Sequence, residues 1–277
     1  MNKIVNRPVN RLFAFGCSFT GYKWPTWPHV IAYDLSIKFY NYGRGGAGNQ
    51  YIFNTLMQAD SFYHFTENDL VIVEWTNFAR EDRFASKSWI CPGNIYSQDV
   101  YNEDWIRKWA DIDGYAIRDL ATIKASYEFL INKKCQFHFL KMIDFNFLDQ
   151  WNQTQFILGD TFQRSIKLYD PYLNKIKPSF YEVLWQNNLE IKFKKERETF
   201  GLKYKDGHPN PIEHLEYLEN VFPSHIFSDQ TKQKVFACNE KLTEILKQEM
   251  KKGIVRSWTL DLSEIYFNFE ESALSIY

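Results

Sequence analysis

The sequence predicts a three-layer α/β/α domain on a mostly parallel five-stranded sheet. Short apolar segments alternate with segments of helical periodicity, which implies parallel strands joined by crossover helices. The clearest of the apolar segments, 69–74, holds four consecutive apolar residues, three of them β-branched, as a buried strand requires. The chain has 277 residues, long enough to bury a substantial core.

The elements follow in order. Arg11 to Phe15 is a short apolar run ending at Gly16, the first strand. Apolar residues at helical spacing predict a helix over Trp27 to Ser36. Lys38 to Tyr42 reads as the second strand, closed by the glycine-rich stretch Gly43 to Gly48, after which Asn49 caps a helix running to about Phe62. The third strand is Asp69 to Glu74. A loop region spans about Thr76 to Asp113, a helix Ala116 to Asn132, and a fourth strand Cys135 to Lys141. The stretch from Ile143 to Tyr204 is aromatic and rich in Asn and Gln, and reads as a mostly helical insertion in a single domain over 1–277. Asp206-Gly-His-Pro-Asn210 is turn chemistry with Pro211 at a helix start. Ser228 to Lys252 is a long amphipathic helix, and the tail over 254–269 is a candidate edge strand. This order is flavodoxin-like, and such sheets bind ligands beyond the carboxyl ends of their strands.

Composition narrows the function. With 33 basic and 34 acidic side chains the net charge is −1, so no global field exists to hold nucleic acid. The lysines around Lys192 to Lys205 read as a solvated face. Four dispersed cysteines with no C-x-x-C pair speak against a zinc site or a disulfide framework and fit free thiols in a reducing compartment. No apolar run reaches the roughly 18 residues of a membrane span, and the N-terminal apolar run is too short for a signal peptide. The expectation is a cytoplasmic protein, with incorporation in a virus particle as the open alternative.

Chemistry-bearing residues sit at the expected rim. Phe15-Gly-Cys-Ser-Phe-Thr20 follows the first strand, and a serine on a sharp strand-to-helix turn presents its hydroxyl at the sheet edge. Asn41-Tyr-Gly-Arg-Gly-Gly46 ends the second strand with unhindered backbone N–H groups, and Glu74-Trp-Thr-Asn77 ends the third with a side-chain amide. Asp206-Gly-His208 precedes a late helix. Each segment also has a plain structural reading, Ser18 as a helix cap and His208 as part of a turn. Taken in order, the four blocks resemble those of the SGNH (GDSL) hydrolase family, over roughly residues 11–80 and 200–220.

The resemblance implies a serine ester hydrolase: Ser18 as nucleophile, His208 as general base and Asp206 as the residue orienting it, with the oxyanion held by the backbone N–H groups of Ser18 and Gly46 and by the Asn77 amide. Three departures stand out. The Asp that precedes the family serine is Cys17 here, the residues flanking the family asparagine are Trp75 and Phe78, and one residue rather than two separates the late Asp and His. Cys17 itself is a competing nucleophile. Glu74, Trp75, Arg80 and Arg83 are candidate substrate contacts, with a surface salt-bridge cluster as the alternative reading of the charged ones. His138, inside a predicted strand, reads as a core histidine.

Trp24, Trp27, Trp75, Trp89, Trp105 and Trp109 crowd segments flanking the expected cleft, and stacking of such rings on sugars points to an O-acetylated glycan or other small ester as substrate. The resemblance implies no metal or organic cofactor, and the charge balance and lack of a long apolar run predict neither nucleic acid nor membrane as partner; the oligomeric state is open. Two further readings use the same residues. One is acyl transfer or thioester cleavage at the same Ser/His site. The other is a catalytically degenerate module that binds glycans or builds particles.

Overall fold

The computed structural model describes residues 3–97, 101–145, 160–201, 204–253, 260 and 262. The chain starts with β1 (Arg11–Gly16), α1 (Trp27–Leu35), β2 (Lys38–Gly43), α2 (Asn49–Tyr63) and β3 (Asp69–Trp75). A small excursion follows: the hairpin β4 (Arg83–Ala85) and β5 (Ser88–Ile90), a 3-10 turn at Ile95–Ser97, and α3 (Glu103–Trp109). The main path resumes with α4 (Ile112–Lys133), β6 (Gln136–Lys141), α5 (Asp160–Leu173), β7 (Ile176–Ser179), α6 (Phe180–Trp185), α7 (Leu189–Phe200), α8 (Pro211–Val221) and α9 (Asp229–Lys251).

The five long-path strands form one sheet in the order β2-β1-β3-β6-β7, and every neighbouring pair is parallel. This is the flavodoxin-like order, with β1 between β2 and β3. Helices α1 and α8 pack on one face and α2 and α4 on the other, with α9 and α5 outside them. All seven residues of β3 are buried, as expected for a central strand covered on both faces.

Four details differ from the sequence reading. The expected loop over 76–113 contains the β4–β5 hairpin and α3. Its turn residues, Ser86 and Lys87, both adopt left-handed backbone (φ 51° and 65°), without the Asn-Gly or Asp-Gly pair that announces such turns. The 143–204 stretch is largely helical where described, but it is no separate insertion: it carries α5 and the fifth strand, β7. That strand is short and contains Pro178, tolerated because β7 is an edge strand. Gly48, and not Asn49, is the N-cap of α2. The Asn49 amide instead accepts from the Thr76 N–H (2.9 Å) and donates to Thr76 O and to Asp119. Finally, the Lys192 ammonium is buried and bonded to Glu213 at 2.7 Å, so the lysine cluster is only partly a solvated face. The candidate strand over 254–269 lies outside the described residues, apart from Leu260 and Leu262, which pack beside Trp24 and Leu242 in a second, smaller core.

Candidate active site

The turn after β1 is built by glycine and threonine. The N–H groups of Thr20 and Gly21 both donate to Cys17 O at 3.0 Å, which folds the chain back sharply. A side-chain carbon on Gly16 would fall 2.0 Å from Thr20 Oγ1, so only glycine fits there. Cys17 and Phe19 point into the core, whereas Ser18 between them is half-buried. The loop after β2 lies against this turn: Arg44 N–H donates to Gly16 O, and Gly21 and Gly43 meet main chain to main chain.

The late histidine reaches the same place. His208 Nε2 lies 2.9 Å from Ser18 Oγ, and His208 Nδ1 lies 2.6 Å from Asp206 Oδ1. The single-residue spacing works because Asp206 Oδ1 also accepts the His208 backbone N–H at 2.8 Å, closing a local side-chain turn. The Asp206 carboxylate is nearly buried (6% exposed) while the His208 ring is 28% exposed, so the imidazole opens toward solvent and its partner does not.

This loop is clamped from three sides. The Asp206 N–H donates to Glu196 Oε2 of α7 (2.9 Å), and the Trp24 indole N–H donates to Pro209 O (2.7 Å). Asn210 and Glu213 form a reciprocal capping box at the start of α8, with Pro211 in its first turn. Burial pushes the Glu196 carboxyl up to about 7. A cavity of about 120 Å³ behind His208 is lined by Trp24, Lys192, Glu196, Phe200, Tyr204 and His208 among others.

Gly46 and Asn77 follow β2 and β3, the two strands flanking β1, and so belong to the rim that carries Ser18. Gly46 is in left-handed backbone (φ 75°), and a side-chain carbon there would meet Cys91 O at 2.3 Å. Asn77 is nearly buried, and its Oδ1 has no hydrogen-bond partner among the described residues.

The candidate substrate contacts fare differently. Glu74 is fully buried beneath the serine turn, where its carboxyl accepts from Thr20 Oγ1 (2.5 Å), Trp27 Nε1 (3.2 Å) and Cys17 Sγ (3.4 Å). Trp75 is fully buried against Phe139. Neither can touch a substrate, because the turn after β1 and the neighbouring strand cover them. The Arg80 guanidinium donates to Ala47 O at 2.6 Å. Arg83 stands exposed on the hairpin, 3.4 Å from Glu81 and over the Trp105 ring. Of the six tryptophans expected to flank the cleft, Trp24, Trp27 and Trp75 are core residues.

The competing nucleophile is disfavoured by its surroundings. Burial, with the Glu74 charge adding to it, pushes the Cys17 thiol up to about 12, so it stays protonated. His138 is a core histidine, as expected: its Nε2 lies 2.7 Å from Ile4 O, and burial lowers it to about 4.

Two residues beside the site escaped the sequence reading, Tyr22 and Glu196. Tyr22 lies four residues past the serine and Glu196 sits in a lysine-rich helix, and no spacing rule ties either to the late histidine.

No protein-family model and no curated protein matches the sequence. Solved structures similar to the chain include a member of the lipolytic protein G-D-S-L family from Veillonella parvula, at 15% identity over 78% of this chain and 97% of that one, TM-score 0.42. Another is the psychrotrophic esterase EstA from Pseudoalteromonas sp., at 13% identity over 78% of this chain and 97% of that one, TM-score 0.41.

Proposed function

We propose that this protein is a serine ester hydrolase working through an acyl-enzyme on Ser18. The observation that carries the reading is the continuous chain Ser18 Oγ, His208 Nε2, His208 Nδ1, Asp206 Oδ1, with links of 2.9 and 2.6 Å, at the carboxyl edge of a parallel sheet. In the first step His208 takes the Ser18 proton as the oxygen attacks the ester carbonyl carbon. Asp206 accepts from Nδ1–H, fixing the tautomer and supporting the imidazolium. The negative oxygen of the tetrahedral intermediate is held by the N–H groups of Ser18 and Gly46 and the Asn77 amide, each such donor being worth on the order of 3 kcal/mol in the barrier. Collapse expels the alcohol, which takes the proton from His208. Water activated by the same imidazole then releases the acid and restores Ser18.

An O-acetylated carbohydrate is the substrate class we put forward. The aromatic support for it narrows to Trp89, Trp105 and Trp109, since Trp24, Trp27 and Trp75 are in the core.

The test is hydrolysis of p-nitrophenyl acetate and labelling by a fluorophosphonate, in wild type and Ser18→Ala. We expect wild type to react with both and the variant to lose on the order of a thousandfold or more. Equal, slow hydrolysis by the two proteins defeats the hydrolase reading and favours the non-catalytic module.

A further inference from the structure

We infer that Tyr22 is a positioning residue of this site, holding the Asp206 carboxylate with its hydroxyl and the His208 imidazole with its ring face. The inference deepens the hydrolase reading and rests on it for its catalytic meaning. The two rings lie nearly parallel, with centroids 3.8 Å apart and planes 16° apart. On the same residue, Oη donates to Asp206 Oδ2 at 3.0 Å. Asp206 therefore presents one oxygen to His208 and the other to Tyr22. One side chain touches both members of the pair that must hold still while Ser18 gives up its proton.

Tyr22 is itself braced. Trp24 packs edge-on against it (4.5 Å, 79°), and the Trp24 indole N–H holds Pro209 O of the histidine loop. Segments 22–24 and 206–209, remote in sequence, are pinned to each other at both ends. The Phe19 ring meets His208 edge-on at 5.7 Å, so the imidazole sits between two aromatic rings from the nucleophile's own loop.

The two contacts act on the imidazole in opposite directions. A phenol O–H on the carboxylate spreads its charge and weakens its hold on a proton at Nδ1. A π face stacked on the ring favours the imidazolium that forms when Ser18 is deprotonated. Among the described residues, the other titratable groups near the pair are Glu196, which accepts the Asp206 N–H, Lys192, paired with Glu196 and Glu213, and the Tyr204 phenol, which burial and then the Asp206 charge keep protonated. His214, which also feels His208, is kept neutral by burial. None of these changes when Tyr22 is substituted, so a pair of variants separates the two effects.

The experiment is an NMR-detected titration of the His208 ring in wild type, Tyr22→Phe and Tyr22→Leu, with kcat and KM for p-nitrophenyl acetate measured beside it. Phe keeps the ring and removes only the hydroxyl, so that variant keeps the packing. Its midpoint should rise by roughly half a pH unit. Leu removes both contacts, and its midpoint should fall below that of the Phe variant, with kcat reduced on the order of tenfold and KM within about twofold of wild type. Midpoints and kcat coinciding with wild type in both variants overturn the inference. Variants whose midpoints shift in this order, in a protein whose wild type turns over no ester, defeat the hydrolase reading instead and leave the positioning of His208 by Tyr22 standing.

Discussion

The Cys17 thiol donates to the Glu74 carboxyl across 3.4 Å, directly beneath the turn that lifts Ser18 to the surface. Both groups are fully buried, and burial moves each toward its neutral form, the thiol up to about 12 and the carboxyl up to about 7. The pair forms a floor under Ser18, and its protonation is set by its dryness.

Cys17 should therefore be inert and replaceable by a neutral residue. Iodoacetamide at pH 8 should leave it unmodified in the folded protein, as read by mass spectrometry of its peptide. Cys17→Ala should keep ester hydrolysis within a few-fold, at a stability loss of about 1 kcal/mol. Cys17→Asp, which restores the acidic residue of the resembled family, sets a second carboxyl against Glu74 and should cost about 3 kcal/mol in urea unfolding. Loss of activity in Cys17→Ala with Ser18 intact would reverse the assignment of nucleophile.

Glu74 should make stability depend on pH in a defined window. In the unfolded chain it ionises at its ordinary 4.5, in the folded protein at about 7. Between these values the folded state binds more protons, so this contribution to stability falls as pH rises through the window, by up to about 1.4 kcal/mol per pH unit. His138 works in the opposite sense. Burial lowers it to about 4, so its contribution is lost as pH falls from 6.5 toward that value. Subtracting the unfolding free energies of Glu74→Gln from those of wild type removes the histidine. The remaining difference should decline from pH 4.5 to 7 and then level off; a flat difference contradicts the assignment.

Asp206→Asn should separate geometry from charge. Asparagine can still fill the carboxylate's place but cannot support an imidazolium. We expect kcat on p-nitrophenyl acetate to fall on the order of a thousandfold or more, with the denaturation midpoint little changed. Activity within tenfold of wild type would mean that a Ser18–His208 dyad suffices.

Gly46→Ala should be costly at both levels. The position combines left-handed backbone with a side-chain carbon only 2.3 Å from Cys91 O, and the expected stability loss is about 2 kcal/mol or more. Because the strain falls on the loop proposed to offer the second oxyanion N–H, kcat should drop by a larger factor than KM changes. Wild-type stability and kcat in this variant would exclude the tight turn.

Much of the frame was legible in the sequence because β1, β2 and β3 are apolar runs long enough to show their period. The hairpin and α3 were not, since strands of three residues and a helix of seven are too short for periodicity to emerge. β7 was hidden because Ile-Lys-Pro-Ser lacks an apolar run and an edge strand needs none. Ser18, Asp206 and His208 each sit in a turn with a local signature, but it was the resemblance of the four ordered blocks to a known family that put them together. Glu74 and Trp75 were misplaced because exposure at a strand end depends on what a neighbouring loop covers, which local pattern does not encode. Tyr22 and Glu196 act across the chain, and only the folded arrangement of α7 and the two loops brings them to the late histidine.

Gly21 and Gly43 touch without side chains between them: a side-chain carbon added to either would sit 2.2 to 2.4 Å from the other's main chain. The loop bearing Ser18 and the loop bearing Gly46 are thus fused into one plate, and Gly46 bolts that plate to Cys91 on the next excursion. Retooling the protein for a larger acyl group by reshaping these loops would disturb attack and charge stabilisation at once. The freedom to vary lies further out, on the exposed stretch from Arg83 to Ser88, where a library of substitutions can alter what approaches the rim while the plate beneath keeps its shape.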